Sequence, residues 1–353
     1  MRSGTRIAAI SVAAVLMSST AGSAEDKLDI SLLNAFVADE FWQGCSVGAK
    51  RAAEAVGATI TELDANNSAQ AQINQIDTTI QRAPDAMLIA TLDSNGVVPQ
   101  LTRAMQAGID VYAYNTAVPN ATLSATVAMD EDATGAAAAQ RMIELLRQKK
   151  EATGNSEFTL LHLVGAVATE AVRLRRDGFN REIAKPVEGM TINMTEVVTD
   201  WKPEVAVTGL QDALTRGPID AIFTESDFLT PFLVPVLQRG GYTDASGDNP
   251  VIIGGLGGIP GGLKAIRDGW QNFTLNYPID GMCASSVYLA ADSHKGKGFA
   301  ESWQDAAKKA GLESNAPRLV ESEKSGPSIL LTANPIDKSN VDDKAFWANT
   351  FRD

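Results

Sequence analysis

Three features of the sequence hold residue types that could do chemistry. Gly44-Cys45-Ser46-Val47-Gly48 has the G-x-S-x-G spacing in which a strained strand-to-helix turn exposes a serine nucleophile. Phe41 to Gln43 already have helical spacing, however, so Ser46 would lie inside a helix, and its only candidate bases are His162 and His294. The glycines are expected to let that helix pack closely on its sheet instead. The stretch VIIGGLGGIPGG (251–262) has the order of apolar strand, glycine turn and helix start that holds phosphates. Pro260 stands where a G-x-G-x-x-G pattern needs its last glycine, and Leu263 stands where a phosphate loop needs lysine. What remains is backbone able to turn tightly or approach a ligand closely. Asp93, Asp200 and Asp227 stand at strand ends or in neighbouring loops, but local spacing pairs none of them. Two cysteines and two histidines are too few for a protein-built zinc or iron site, so no metal or cofactor is expected.

The elements that must position such residues alternate along the chain. Strand patterns at 28–36, 58–65, 86–92, 110–116 and 123–129 are separated by helical patterns at 41–57, 69–83 and 96–107. A long helix over 131–150 leads to a second series, with strands at 158–165, 191–200, 221–227, 251–257 and 273–278. Between them lie helices near 169–184, 203–215, 228–239 and 262–268; a helix near 280–293 and an apolar strand at 325–333 follow. The pattern predicts an α/β protein with two doubly wound parallel-sheet lobes. Such sheets bind ligands beyond the carboxyl ends of their strands, which directs attention to Asn115, Asp200, Ser226, Asp227 and the glycines after Ile253.

MRSGTR, IAAISVAAVLM and SSTAGSA read as the charged, apolar and small-residue regions of a cleavable signal peptide over 1–24, with Ala24 the last residue removed. The apolar run is too short to span a membrane, and no cysteine just after it suggests a lipid anchor. Export to the periplasm is expected. There Cys45 and Cys283 could form a disulfide or be two small buried residues; the sequence leaves both open. With 30 basic against 43 acidic residues among 353, an extended phosphate-binding surface is excluded, and no nucleic-acid partner is expected.

DEFWQGCSVGAKRAAEAVG, ATEAVRLRRDGFNREI, FTESDFLTPFLVPVLQ, IIGGLGGIP, LNYPIDG and NVDDKAFW, in that order, resemble the periplasmic sugar-binding proteins of the ribose-binding type. The resemblance runs from about Leu28 to Phe346. It implies a type I periplasmic binding protein, with two lobes joined by three hinge crossings and closing on a ligand. The crossings fall near Met129–Asp130, Asn276–Tyr277 and Leu331–Ala333. They imply an N-terminal lobe of 27–129 plus 277–331 and a C-terminal lobe of 130–276 plus 332–353.

The same resemblance places the ligand contacts. They are Asp39 and the aromatic pair Phe41 and Trp42, the strand-end pair Asn115 and Thr116, Arg173, Trp201, Ser226 and Asp227, Gly257, and Asn276. Asn115-Thr116 stands where the family often has Asp-Arg, Leu256-Gly257 where it often has an aspartate, and Glu40 where it usually has proline. A smaller or less charged ligand is implied: a monosaccharide, a deoxy sugar or a sugar alcohol. The further implications are a monomeric, non-enzymatic receptor and an ABC importer permease as membrane partner. A chemoreceptor ligand carrier is the variant on the same fold. An effector domain of a transcription regulator would need a DNA-binding segment where the signal peptide stands, and an enzyme would need a base, metal or cofactor loop.

Overall fold

The computed structural model describes Met1 and residues 27–350; apart from Met1, the expected signal peptide lies outside the described residues. The chain runs β1 (Asp29–Asn34), α1 (Glu40–Val56), β2 (Thr59–Asp64), α2 (Ala69–Arg82), β3 (Ala86–Ile89), α3 (Val98–Gln106), β4 (Asp110–Asn115) and β5 (Ala125–Met129). It continues through α4 (Glu131–Thr153), β6 (Glu157–Val164), α5 (Glu170–Ile183), β7 (Thr191–Val198), α6 (Pro203–Arg216) and β8 (Ala221–Thr224). Then come α7 (Thr230–Arg239), β9 (Ile252–Gly257), α8 (Pro260–Arg267) and β10 (Phe273–Asn276). The last part holds α9 (Ile279–His294), α10 (Phe299–Lys309), β11 (Arg318–Val320), β12 (Ser328–Leu331) and β13 (Asn334–Asp337).

These strands form two sheets, in the orders β11-β12-β5-β4-β3-β1-β2 and β13-β10-β9-β8-β6-β7. The chain passes between them three times: from β5 to α4, from β10 to α9, and from β12 to β13. Interior strands such as β3, β5 and β8 are apolar but for Thr126 and Thr224 and are buried on both faces, as parallel sheets covered by helices require. Edge strands β2 (TITELD) and β7 (TINMTEVV) interleave polar and apolar residues and stay partly exposed. The alternation of strands and helices is borne out, with one refinement. Each sheet ends on a short antiparallel strand, β11 or β13. Neither has a sequence signal: each is three or four residues long, and β13 contains Pro335, which only an edge tolerates. The amphipathic helix α10 likewise has no counterpart among the expected elements.

Capping fixes where the site's helices begin. Asp39, Asp130 and Thr169 accept backbone N–H groups at the starts of α1, α4 and α5. Such a cap is worth about 1 kcal/mol. In the first lobe α1 packs along α9, and Gly48 touches the Asp280 carbonyl so closely that a Cβ would collide with it. The Cys45–Cys283 disulfide joins the same two helices, with the Cα atoms 5.3 Å apart. The G-x-S-x-G spacing therefore serves close packing, but against helix α9 and not, as expected, against the sheet. The Ser46 hydroxyl meets Asn34, Glu62 and the Trp42 carbonyl, and neither histidine is among its partners.

Candidate functional site

A cavity lies where the carboxyl ends of the two sheets face each other. Its volume is about 50 Å³, space for more than one water molecule. From the first lobe come Phe36, Asp39, Phe41, Trp42, Asn67 and Asn115. From the second come Arg175, Trp201, Glu225, Ser226, Gly257 and Ile259, and Tyr277 joins from the second crossing.

Of the eleven residues marked in the sequence, Asp39, Phe41, Trp42, Asn115, Trp201, Ser226 and Gly257 line the cavity. Thr116, Arg173, Asp227 and Asn276 do not. Thr116 is buried beside its strand, with its N–H donated to the Tyr114 carbonyl at 2.7 Å. The Arg173 guanidinium folds back on Glu170 and donates to the carbonyls of Val167 (2.8 Å) and Ala168 (3.0 Å). Asn276 lines a separate groove that includes Asn334 and Trp347.

Arg175, two residues beyond Arg173, takes the place in the cavity. It donates to Glu131 at 2.8 Å and to the Tyr277 hydroxyl at 3.0 Å, and lies 3.5 Å from Glu225. Tyr277 in turn donates to Glu131 at 2.6 Å. All four are buried, so two carboxylates and a guanidinium share a region of low dielectric. Burial pushes the Glu131 carboxyl up to about 7 even against the pull of Arg175. For Glu225 burial acts the same way, but Arg175, His162 and the Gly165 amide outweigh it and hold the carboxyl below its usual range. The sequence held a hint: the R-x-R run offered two arginines, and only packing decides which one turns inward.

Asp227 answers the question of the glycine stretch. Its carboxylate is fully buried and accepts from the Gly258 amide (2.8 Å), Thr274 Oγ1 (2.7 Å) and Gln271 Nε2 (2.7 Å). A Cβ on Gly255 or Gly262 would collide with that carboxylate. The turn does hold an anion, and the anion is the protein's own.

The first-lobe carboxyl in the cavity is Asp39. Burial pushes it up to about 7; the Phe41 amide pulls down, and the charges of Glu40 and Asp227 push further up. Two cavity residues, Asn115 (φ 62°) and Trp201 (φ 57°), hold left-handed backbone, as does Asp200 (φ 49°) just before Trp201. Each such residue costs about 1–3 kcal/mol, a strain that tends to gather where side chains are aimed at ligands. The Asn115 carbonyl oxygen of the side chain is buried without a hydrogen-bond partner.

The periplasmic binding protein domain family matches residues 30–298. The D-xylose-binding periplasmic protein of Escherichia coli K12 is 25% identical over 295 residues, covering 82% of this chain and 81% of its own. A xylitol-binding protein of Mycolicibacterium smegmatis is 27% identical over 207 residues, 58% of this chain and 55% of its own. The crystal structure of a galactofuranose-binding protein superposes with a TM-score of 0.72 at 16% identity, covering 92% of this chain and 99% of that one. A two-sheet fold with an enclosed cavity between the sheets agrees with these matches, and the chain belongs to the periplasmic binding protein family.

Proposed function

We propose that the protein captures a small polyhydroxylated molecule, a pentose or a sugar alcohol of similar or smaller size, between its two lobes. The observation that carries this reading is the cavity wall. Phe41, Trp42 and Trp201 offer ring faces or edges for C–H groups, while Asp39, Asn67, Asn115, Arg175, Glu225 and Ser226 offer donors and acceptors for hydroxyls. Aromatic contacts contribute about 0.5–1.5 kcal/mol each beyond area burial; hydrogen bonds to charged groups contribute about 1.5–3 kcal/mol. Leu256 and Ile259 give the second-lobe wall an apolar patch, and the family resemblance implies a carboxylate at Leu256-Gly257 that this chain lacks. That patch favours a ligand with one less-hydroxylated face. Relatives named for D-xylose and xylitol support the ligand class.

In this reading the chain is exported, its signal peptide is cleaved after Ala24, and the closed form delivers ligand unchanged to the permease of an ABC importer. A thermal-shift screen of pentoses, hexoses, deoxy sugars, polyols and cyclitols tests it. A ligand at 100 times its dissociation constant adds about 2.7 kcal/mol to stability, so a pentitol or pentose should raise the midpoint clearly and be recovered chemically intact. No shift from any compound in the panel would overturn the ligand class.

A further inference from the structure

The segment after β13 runs from the second lobe to the back of the second crossing. On the second-lobe side, Val341 and Phe346 pack with Leu263 and Ile266 of α8 and Ile336 of β13. Arg267, at the end of α8, holds the Asp342 carboxylate at 2.8 Å and donates to the Val341 carbonyl at 3.1 Å and Asn349 Oδ1 at 2.7 Å. Trp347, one residue beyond Phe346, lies in the other core, with Cys45, Ile279 and Cys283 of α1 and α9. A Cβ added to Gly44 would collide with its ring. The Trp347 indole N–H is donated to the Tyr277 carbonyl at 2.9 Å, and both residues are buried. The same carbonyl accepts the Ile279 N–H at 2.8 Å, and the Tyr277 N–H is donated to the Gly257 carbonyl at 3.2 Å. The Tyr277 backbone is thereby held on both sides, while its hydroxyl meets Glu131 and Arg175 at the cavity.

We propose that Trp347 is a positioning residue for the ligand site: its indole fixes the second crossing so that the Tyr277 hydroxyl reaches Glu131 and Arg175. It does not line the cavity and acts through Tyr277, which does. An indole N–H can only donate, and once buried it needs an acceptor; here that acceptor belongs to the residue carrying a site hydroxyl. Tyr277 and Arg175 together hold Glu131, and Arg175 Nη2 then faces Glu225 at 3.5 Å. Site geometry thus depends on the packing of a residue 70 positions further along the chain. The inference rests on the reading above in taking the cavity as the ligand site.

The first arm of the test uses the mature protein without added ligand and follows the Glu131 carboxyl by carbon NMR through a pH titration. Burial raises that carboxyl, Arg175 and then the Tyr277 hydroxyl pull it down, and Glu225 pushes it up. Tyr277→Phe removes the hydroxyl and should raise the titration midpoint by about half a pH unit or more. Trp347→Phe keeps an aromatic ring but loses the N–H; it should move the midpoint the same way and add little in the Tyr277→Phe background. Should Trp347→Phe melt early, Gly44→Ala, which displaces the ring from the other side, carries the same measurement. A midpoint unmoved by Trp347→Phe or by Tyr277→Phe, or two effects that add in full, would overturn the proposal. The second arm is calorimetry with xylitol. Trp347→Phe should weaken its binding about fivefold and have no effect in the Tyr277→Phe background; unchanged affinity in the single variant would also overturn the proposal. Xylitol that fails to bind wild type would count against the ligand class alone, because the titration uses no ligand.

Discussion

Glu225 and Asp227 are two residues apart at the end of β8, both buried, and their surroundings make them opposites. Glu225 faces the cavity beside Arg175, and despite burial it is held below the usual carboxylate range. Asp227 turns away, into the glycine turn, where it meets only amide, hydroxyl and carboxamide donors; there burial prevails and its carboxyl is raised. A full charge nearby and a set of dipoles are therefore not equivalent hosts. The first leaves an ionised group at the cavity wall. The second ties three segments of the second lobe together, the β8 end, the turn after β9 and the start of β10.

The largest effect should come from removing the cation from this pair of environments. Arg175→Ala leaves Glu131 and Glu225 buried without their guanidinium, a change worth about 3–5 kcal/mol of stability. Ligand affinity should fall at least a hundredfold. Calorimetry and denaturant melts would check both, and a variant with wild-type stability would show that Glu131 and Glu225 do not depend on Arg175.

Next in size is the dipole-held carboxylate. Asp227→Ala removes the acceptor of three buried donors; Gln271 keeps the Phe273 carbonyl and the Gly258 amide keeps Thr274 Oγ1, so about one donor is left unmatched and a loss of about 1–3 kcal/mol is expected. Gly255→Ala should destabilise comparably by collision with the same carboxylate. Neither residue lines the cavity, so in both variants the ligand should still bind to the fraction that remains folded. A melting midpoint equal to wild type would refute the cradle.

These two sites also show where the sequence was readable. Strand and helix alternation was legible because each element buries a continuous or periodic apolar face, and the two-lobe fold followed. The aromatic pair Phe41 and Trp42, together with Trp201, was placed by family resemblance, and all three line the cavity. Four of the expected contacts lie outside the cavity, and two of them stand two residues from a residue that lines it: Asp227 from Glu225 and Arg173 from Arg175. Strand β8 stops at Thr224, three residues before its expected end at Asp227, so the polar residues after it enter a turn whose direction no periodicity encodes. Tyr277 and Glu131 escaped notice because their roles come from the crossings, where distant segments meet. The disulfide is not legible in the sequence for the same reason, since 238 residues separate its cysteines.

A smaller effect concerns pH. Asp39 and Glu131 both have folded values near 7, above those of an unfolded chain. Such acids bind protons more tightly when folded. Their contribution to stability is full below the unfolded value, near 4, and is lost as pH rises through about 7. The empty protein should therefore melt at a higher temperature at pH 5.5 than at pH 8. Asp39→Asn should flatten part of that slope and leave the part due to Glu131. An identical slope in the variant would mean that Asp39 is already ionised across the range.

The smallest effect is expected at Arg173, and it separates spacing from packing most cleanly. Family resemblance assigns this position to the ligand, yet its guanidinium holds Glu170 and the carbonyls of Val167 and Ala168, outside the cavity. Its side chain is about one-third exposed, so the ion pair with Glu170 is screened and worth at most about 1 kcal/mol. Arg173→Ala should change ligand affinity no more than about threefold. That residual effect would come from loosening the Val167–Ala168 turn, whose carbonyl receives Ser94 from the other lobe. A hundredfold loss in this variant, with Arg175→Ala milder, would mean that the two arginines exchange places when ligand enters.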